Sequence, residues 1–599
     1  VVPLAACGPG EQTPEASTPA ATEAAAAVEA TSLLGEELVR PALPDAFRAE
    51  QETLLAEARQ ALEAAPDDPE ALVWVGRRTA YLGRYREAIE LFTEGIERHP
   101  DHAPLYRHRG HRHLTTRQLD AAIADLSRAA ELVEGAPDEV EADGLPNERG
   151  IPTSTLQSNI FYHLGLAHYL EGDFESARRA WERCLEVSTT ADNVVATAHW
   201  LYMTLRRLGL DAEAAALLEP ISADLDIIEN HEYHRLTLMY KGEIEPEALW
   251  REVLSSDDTL GSATLGYGVG NWLYYEGLGE GPETGRAYDL FAHLHSGEQW
   301  AAFGHLASEA ELTRLESHER EVHAWRGGRL ARLLRADGWL SLAGLFRLEP
   351  GEASFGTDPS ADLVFTSDAP SPPEPRVFGT LTLSGPAGAE GVFVEPAPGV
   401  EILVGGAPVE GRIELEGDAD GKATEMEVAP FRFWLIERSG RPLLRLIDLS
   451  RVARAEVPRI PSFPIDEDWV VRARFEPYVP ARTIPVPTIL DTIDPSPSPG
   501  ALVFERDGAE HRLDAIESGD QLFLVFADAT TGGETYGGGR YLYTGLPDPD
   551  GLVTVDFNRA YNPPCVFTAH ATCPLPPQQN RLELVVDAGE KAVAGYLDH

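Results

Sequence analysis

The stretch VGRRTAYLGRYREAIELFTEGIERHP (75–100) decides the first half of the chain. It sets the small residues Gly76, Gly83 and Ala88 against the large Tyr85 and Phe92, and Pro100 closes it. The same offsets return 34 residues on as Gly110, Leu119, Ala122, Leu126 and Ala129. After an insertion around 134–154 they return again as Gly165, Gly172, Phe174, Ala177, Trp181 and Cys184. Small residues let one helix lie close against the next, and the large ones fill the gap to the following helix pair. Weaker units follow. Tyr202, Gly209, Ala214 and Leu218 fit a fourth, and 231–256 a degenerate pair opened by Glu245-Pro246. Gly270, Trp272, Ala287 and Phe291, with QWAAFGHLASEAEL (299–312), read as a last unit and a capping helix.

This spacing resembles the tetratricopeptide repeat. The resemblance implies stacked antiparallel helix pairs over 36–318 with one concave groove. It places Arg77 and Tyr81, Arg107 and His111, and Tyr162 and Tyr169 on that surface. Arginine pairs with carboxylates and tyrosine supplies apolar area with a hydroxyl, so a protein or peptide partner is the expected occupant. The competing reading is a face that is solvated or docked internally. His108 and His111 are three apart within RHRGHRH (107–113), but they lie among like charges, which disfavours a metal.

From Trp339 the pattern changes to short alternating runs broken by Gly, Pro and Asp, the mark of an all-β region. Expected strands include 379–383, 392–394, 402–404, 431–437, 443–447 and 469–475, with a hairpin, 501–505 and 511–513, around Arg506-Asp507-Gly508. Pro370–Pro375 and Pro485–Pro499 read as linkers or covers. The end of the chain carries LFLVFADATTGGETYGGGRYLY (522–543), VDFNRAYNPPCVFTAHATCPLPPQQNRLELVV (555–586) and AGEK (588–591). With GWLSLAGLFRLEPGEASFGTDPSADLVF (338–365), these runs resemble a prokaryotic family known only as domain of unknown function 1684, from about Trp325 to Lys591. That family implies architecture and a candidate site, but no reaction. The first β part is also similar to a forkhead-associated sandwich, as fold only. Thr357 stands where that fold's phosphothreonine reader carries Arg, and no Ser-x-x-His follows.

The polar crowd near the C-terminus supports two readings. Tyr536, Arg540, Asn558, Tyr561, Cys565 and Asn580 are candidates for a small polar ligand. Asp528, Glu534, Asp556 and His570 are candidate catalytic groups for a hydrolase or metal-dependent enzyme, if they converge. Each also has a structural alternative as a cap, ion pair or turn brace. Cys565 and Cys573 are expected as a disulfide, with a Cys-His-Cys metal site through His570, a nucleophilic thiol or simple packed thiols as alternatives. The glycine run 537–539 is not a phosphate loop, because no Lys-Ser/Thr follows. No cofactor is expected.

The net charge is −49, from 49 Lys+Arg against 98 Asp+Glu. Such a surface repels phosphate backbones, so nucleic acid is not an expected partner; a salty habitat or a high-GC genome is the plain explanation. Leu4-Ala5-Ala6-Cys7 looks like a lipobox, followed by a Pro/Thr/Glu/Ala tether. Lipid on Cys7 would anchor the chain to a membrane at the periplasmic or outer-surface side of a bacterial cell envelope, an oxidising compartment. The expected fold is multidomain, α then β: a tetratricopeptide-like α-solenoid, then a mostly antiparallel β domain. The boundaries are 1–7 for the lipobox, 8–35 for a disordered tether, 36–318 for the repeats and 319–599 for the β domain, with subdomains about 339–460 and 465–599.

Overall fold

A computed structural model describes residues 27–256, 259–276, 282–367, 369, 373–385, 391–418, 422–452 and 457–594. Cys7 and most of the expected tether lie outside them. The described chain forms two compact units, one ending at Gly327 and one beginning at Gly328.

The helical unit opens with a hairpin, β1 (Val28–Thr31) and β2 (Glu37–Val39). Residues 28–31, expected as part of the tether, form a strand instead. Ala30 and Leu38 are buried in one core with Leu72, Tyr85 and Phe92. The helices follow as α1 (Asp45–Ala64), α2 (Pro69–Tyr81), α3 (Tyr85–Arg98), α4 (Ala103–Thr115), α5 (Leu119–Leu132), α6 (Leu156–Glu171) and α7 (Phe174–Val187). Next are α8 (Ala191–Arg207), α9 (Asp211–Leu218), α10 (His231–Tyr240), α11 (Pro246–Ser255), α12 (Leu260–Glu276), α13 (Pro282–His295) and α14 (Phe303–Leu312). α15 (Ser317–Leu333) runs across the boundary of the two units. Local chemistry sets the ends. Asp68 caps α2 ahead of Pro69, and Thr155 and Ser158 form a capping box on α6. Gly172 ends α6 at φ +83°, a conformation that favours glycine.

The repeat phase reflects close helix approach. A Cβ at Gly76 would lie 2.3 Å from Phe92, at Gly110 2.7 Å from Leu126, and at Gly165 2.6 Å from Trp181. Each pair joins the first helix of a hairpin to its second, and Gly270 meets Phe291 in the same way at 2.5 Å. The expected solenoid of tetratricopeptide type is present.

In the β unit a two-sheet sandwich comes first. Its strands are β3 (Leu342–Arg347), β4 (Gly351–Gly356), β5 (Leu363–Val364), β6 (Val377–Leu383), β7 (Val392–Pro396) and β8 (Leu403–Val404). β9 (Ala407–Pro408), β10 (Ile413–Leu415), β11 (Met426–Val428), β12 (Phe431–Arg438) and β13 (Arg441–Asp448) complete it. The orders are β10-β7-β6-β4-β5 and β3-β13-β12-β11-β8-β9, and Phe355, Phe365, Phe431 and Phe433 lie in the shared core. A six-stranded sheet follows, of β14 (Val470–Pro487), β15 (Ile493–Arg506), β16 (Ala509–Ser518), β17 (Gln521–Phe526), β18 (Arg540–Gly545) and β19 (Leu552–Asp556), in the order β18-β17-β16-β15-β14-β19. All its named pairings are antiparallel. Asp507 and Gly508 both have positive φ, which makes the tight turn expected between β15 and β16.

One expectation fails. The proline-rich 485–499 is not a linker but a ribbon of β14 and β15, pairing Pro485 with Pro495 and Thr483 with Pro497. The prolines recur every second residue, so their missing N–H groups all point away from the partner strand.

The glycine–aromatic contact generates a stability prediction. Gly165→Leu should overpack α6 against Trp181 and cost about 1–3 kcal/mol or more. Thermal unfolding followed by helical circular dichroism should show a lowered midpoint, whereas Gly285→Ala, within α13 and with open space around it, should cost far less.

Candidate functional site

The first helices of successive hairpins, α2, α4 and α6, turn one face inward. A cavity of about 90 Å³ opens on it between α2 and α4. Arg77, Tyr81, Arg107 and His111, four of the six expected groove residues, line it together with His108, Arg112 and Glu141. Glu141 comes from the 134–154 insertion, a strap held by Arg78, whose Nη1 donates to the Gly144 carbonyl at 2.8 Å.

Three guanidiniums face this cavity with one carboxylate between them. Arg107 Nε lies 3.0 Å from Glu141 Oε2, an ion pair by distance, but its N–H is not aligned for a hydrogen bond. Among the described residues Arg77 reaches the Tyr81 hydroxyl, at 3.4 Å, and the Trp74 ring, and its Nε has no partner. Arg112 lies 5.5 Å from the Tyr85 ring and has no ion-pair partner among the described residues. As a residue it is partly exposed, yet its guanidinium is enclosed enough for burial to pull its pKa down to about 10. Burial, reinforced by the arginines, holds His108 and His111 well below the ordinary histidine range, so both are neutral. Arg107 Nη1 contacts both Nδ1 atoms, at 3.2 and 3.3 Å. Arginine can only donate, so each Nδ1 accepts and each Nε2 carries the proton.

The rest of the face is occupied by the chain itself. α14, expected only as a capping helix, lies on α6 and places Phe303 5.5 Å from the His111 ring and 5.6 Å from His163. Glu309 takes Arg117 in a two-pronged pair, Nη2 to Oε1 at 2.5 Å and Nε to Oε2 at 3.1 Å. Glu311 takes Arg207 of α8 at 2.6 Å. Tyr162 and Tyr169, expected in the open groove, are engaged internally. The Tyr162 hydroxyl accepts from Trp200 Nε1 at 2.9 Å, and the Tyr169 hydroxyl from Tyr267 and Asn271. For these two the internally docked alternative describes the structure.

One cluster has metal-ligand character: His295 Nδ1 lies 3.3 Å from His305 Nε2, which lies 3.3 Å from Glu309 Oε1. It is the only such group among the described residues. Arg117 already occupies both Glu309 oxygens, so an ion there would sit beside a guanidinium. The cluster is an ion-pair network, extended by Glu36 on His295 Nε2 at 3.1 Å. Burial opposes the charge of Glu309, but the His305 and Arg117 contacts override it and hold its pKa down to about 2.

In the β unit the polar crowd is consumed by the fold. Arg540 is fully buried, pairs with Asp528 at 3.1 Å, and donates to the Val586 and Ala588 carbonyls. Asp528 also accepts from Val586 N and Thr530 N. Asn558 brackets the backbone of Asp466, and Asn580 that of Asp514 and Val525. Glu534 is exposed, 3.4 Å from Lys591, while Asp556 caps Asn558 and pairs with Arg559. The Tyr561 ring lies under Arg329, 4.4 Å away. His570 is partly exposed, with its pKa lowered by burial and then by Arg451. Asp528, Glu534 and Asp556 thus each have a separate basic partner, Arg540, Lys591 and Arg559. Cys565 and Cys573 are both buried and are not joined in the expected disulfide. Cys573 Sγ accepts the Cys565 N–H at 3.2 Å, and the Tyr536 hydroxyl lies 3.7 Å from Cys565 Sγ. Hydrogen bonding to Cys573 lowers the Cys565 pKa against its burial.

Residues 456–591 match the family described as "Protein of unknown function (DUF1684)". An uncharacterized protein of Haloarcula marismortui, solved by NMR in solution, is 33% identical over 22% of this chain and 75% of its own, with a TM-score of 0.20. The chain belongs to the DUF1684 family. The match starts at residue 456, so the sandwich, which the sequence likeness from Trp325 included, stands outside it. MamA is 17% identical over 33% of this chain and 94% of its own, with a TM-score of 0.23. YrrB, described as a TPR protein with an unusual peptide-binding site, is 16% identical over 31% and 85%, with a TM-score of 0.22. No curated protein matches.

Sequence reasoning missed Arg112, Glu141, Arg117, Arg207 and the inward α14. A signal for Arg112 existed, since RHRGHRH holds three arginines in one helix.

Glu309 supplies a pH prediction. Its folded pKa is depressed, so its contribution is present above the unfolded value of about 4.3 and is lost as pH falls towards about 2. Glu309→Gln should cost about 3–5 kcal/mol at pH 7, because it leaves Arg117 buried and uncompensated. Urea unfolding across pH 2–7 should show a flatter acid limb in the variant.

Proposed function

We propose that this DUF1684-family protein is a binding scaffold whose solenoid receives an anionic segment of a protein partner in the Arg77–Arg107–Arg112 pocket. One observation carries this reading. In a chain with twice as many acidic as basic residues, Arg77 and Arg112 face a cavity and have no carboxylate partner among the described residues. Internal acids satisfy Arg117 and Arg207 on the same face, so the open pair is what remains for a partner. The β unit supports the hydrolase reading less well, because Asp528, Glu534 and Asp556 are each engaged by a basic side chain of the fold.

A labelled hexaglutamate peptide should bind the full chain, and hexaglutamine should not. Arg77→Glu with Arg112→Glu should weaken that binding about tenfold or more while helical circular dichroism stays unchanged. Equal binding of both peptides would remove the reading.

We further propose attachment at the cell envelope through lipid on Cys7, supported by Leu4-Ala5-Ala6-Cys7 and the tether composition. With a complete signal peptide supplied, the protein should enter the detergent phase on partitioning, and Cys7→Ser should stay in the aqueous phase. Equal partitioning would exclude the anchor.

A further inference from the structure

The pocket has more positive charge than an acidic side chain would cancel. Arg77, Arg107 and Arg112 contribute three charges, Glu141 removes one, and neutral His108 and His111 add none. Two positive charges remain around one small cavity. A single carboxylate leaves one of them uncompensated; a tetrahedral dianion cancels both at one point.

The donor set matches. Among the described residues, Arg77 Nε is buried without a partner, Arg107 Nε is in range of Glu141 but misaligned, and Arg112 makes no ion pair. With Nδ1 of both histidines accepting from Arg107, His111 keeps Nε2–H as a donor, while Nε2 of His108 lies 3.6 Å from Glu141. Guanidinium forks suit the spread oxygens of a tetrahedral group better than a point cation does. A volume of about 90 Å³ has room for one such group.

We propose that this pocket is a binding site for a dianionic tetrahedral oxyanion, a phosphoryl or sulfuryl group, either free or carried on a partner's side chain. This rests on the reading of the pocket as the solenoid's open site, and it names the chemistry that site selects.

The test uses the full chain at fixed ionic strength, titrated calorimetrically with inorganic phosphate, sulfate or acetate and followed in parallel by thermal unfolding. Phosphate and sulfate should bind at least about tenfold more tightly than acetate and should raise the unfolding midpoint. Arg77→Gln with Arg112→Gln should abolish that response. Without anion the variant should be no less stable than the parent, because it removes uncompensated cations rather than paired ones. A phosphothreonine peptide that outcompetes inorganic phosphate assigns the group to a partner; the reverse order assigns it to the free anion. Acetate binding as tightly as phosphate, or a phosphate response that survives in the variant, overturns the proposal. Hexaglutamate binding without phosphate binding overturns it too and leaves the scaffold reading standing. Phosphate binding without hexaglutamate binding supports it and removes the acidic-segment reading instead.

Discussion

The helical unit is organised around the buried pair of Arg117 and Glu309. Arg117 sits in the α4–α5 turn and Glu309 near the end of the helical unit, and both side chains are nearly inaccessible to water. An ion pair so enclosed must be fully hydrogen-bonded or it costs more than it returns. Here it is: Arg117 also donates to the Thr115 and Trp300 carbonyls, and Glu309 accepts the Leu33 N–H from the β1–β2 hairpin. One pair therefore ties the amino-terminal hairpin, the second repeat and α14 together. Glu311 with Arg207 repeats the device beside it. These contacts fix α14 on the inner face, and its position decides which part of that face stays open.

The β unit uses the same physics at its carboxyl end. Residues 581–591 have little regular structure, so their backbone groups need partners from elsewhere. Arg540 and Asp528 bind 586–588 from one side, while Glu590 takes the Asn562 N–H at 2.7 Å and Arg329 at 2.5 Å. Asn558 and Asn580 do equivalent work on 466 and 514. Buried amides and guanidiniums spent on backbone are what such a clasp requires. In composition they resemble a ligand site, and only their partners distinguish the two.

What the sequence made legible follows from this difference. Packing periodicities are local and repeat, so Gly76 with Phe92 and Gly165 with Trp181 announced their hairpins, and the Asp507-Gly508 turn announced its strands. Partner choice is non-local. Nothing near Glu309 in sequence names Arg117, and nothing near Arg540 names Val586. The proline ribbon was missed because proline composition signals a break, whereas its two-residue spacing is what lets it stay in a ladder. The expected groove residues divide for the same reason. Helical phase puts Tyr162 on the inner face but cannot show that Phe303 will cover that face.

The strap completes the argument about the open end. Glu309 grips its arginine with both oxygens in aligned bonds, whereas Glu141 approaches Arg107 without such alignment. It also accepts from Asn159 at 3.2 Å and lies 3.6 Å from His108, so its charge is shared among several weak contacts. A carboxylate held in this way lowers the field of the pocket without closing it. The inner face thus runs from a sealed end, where Arg117 and Arg207 each have their own acid, to an end where three arginines line one cavity with a single loosely held acid. That gradient of compensation, rather than the groove shape of the repeat, marks where this chain can take something that it does not itself supply.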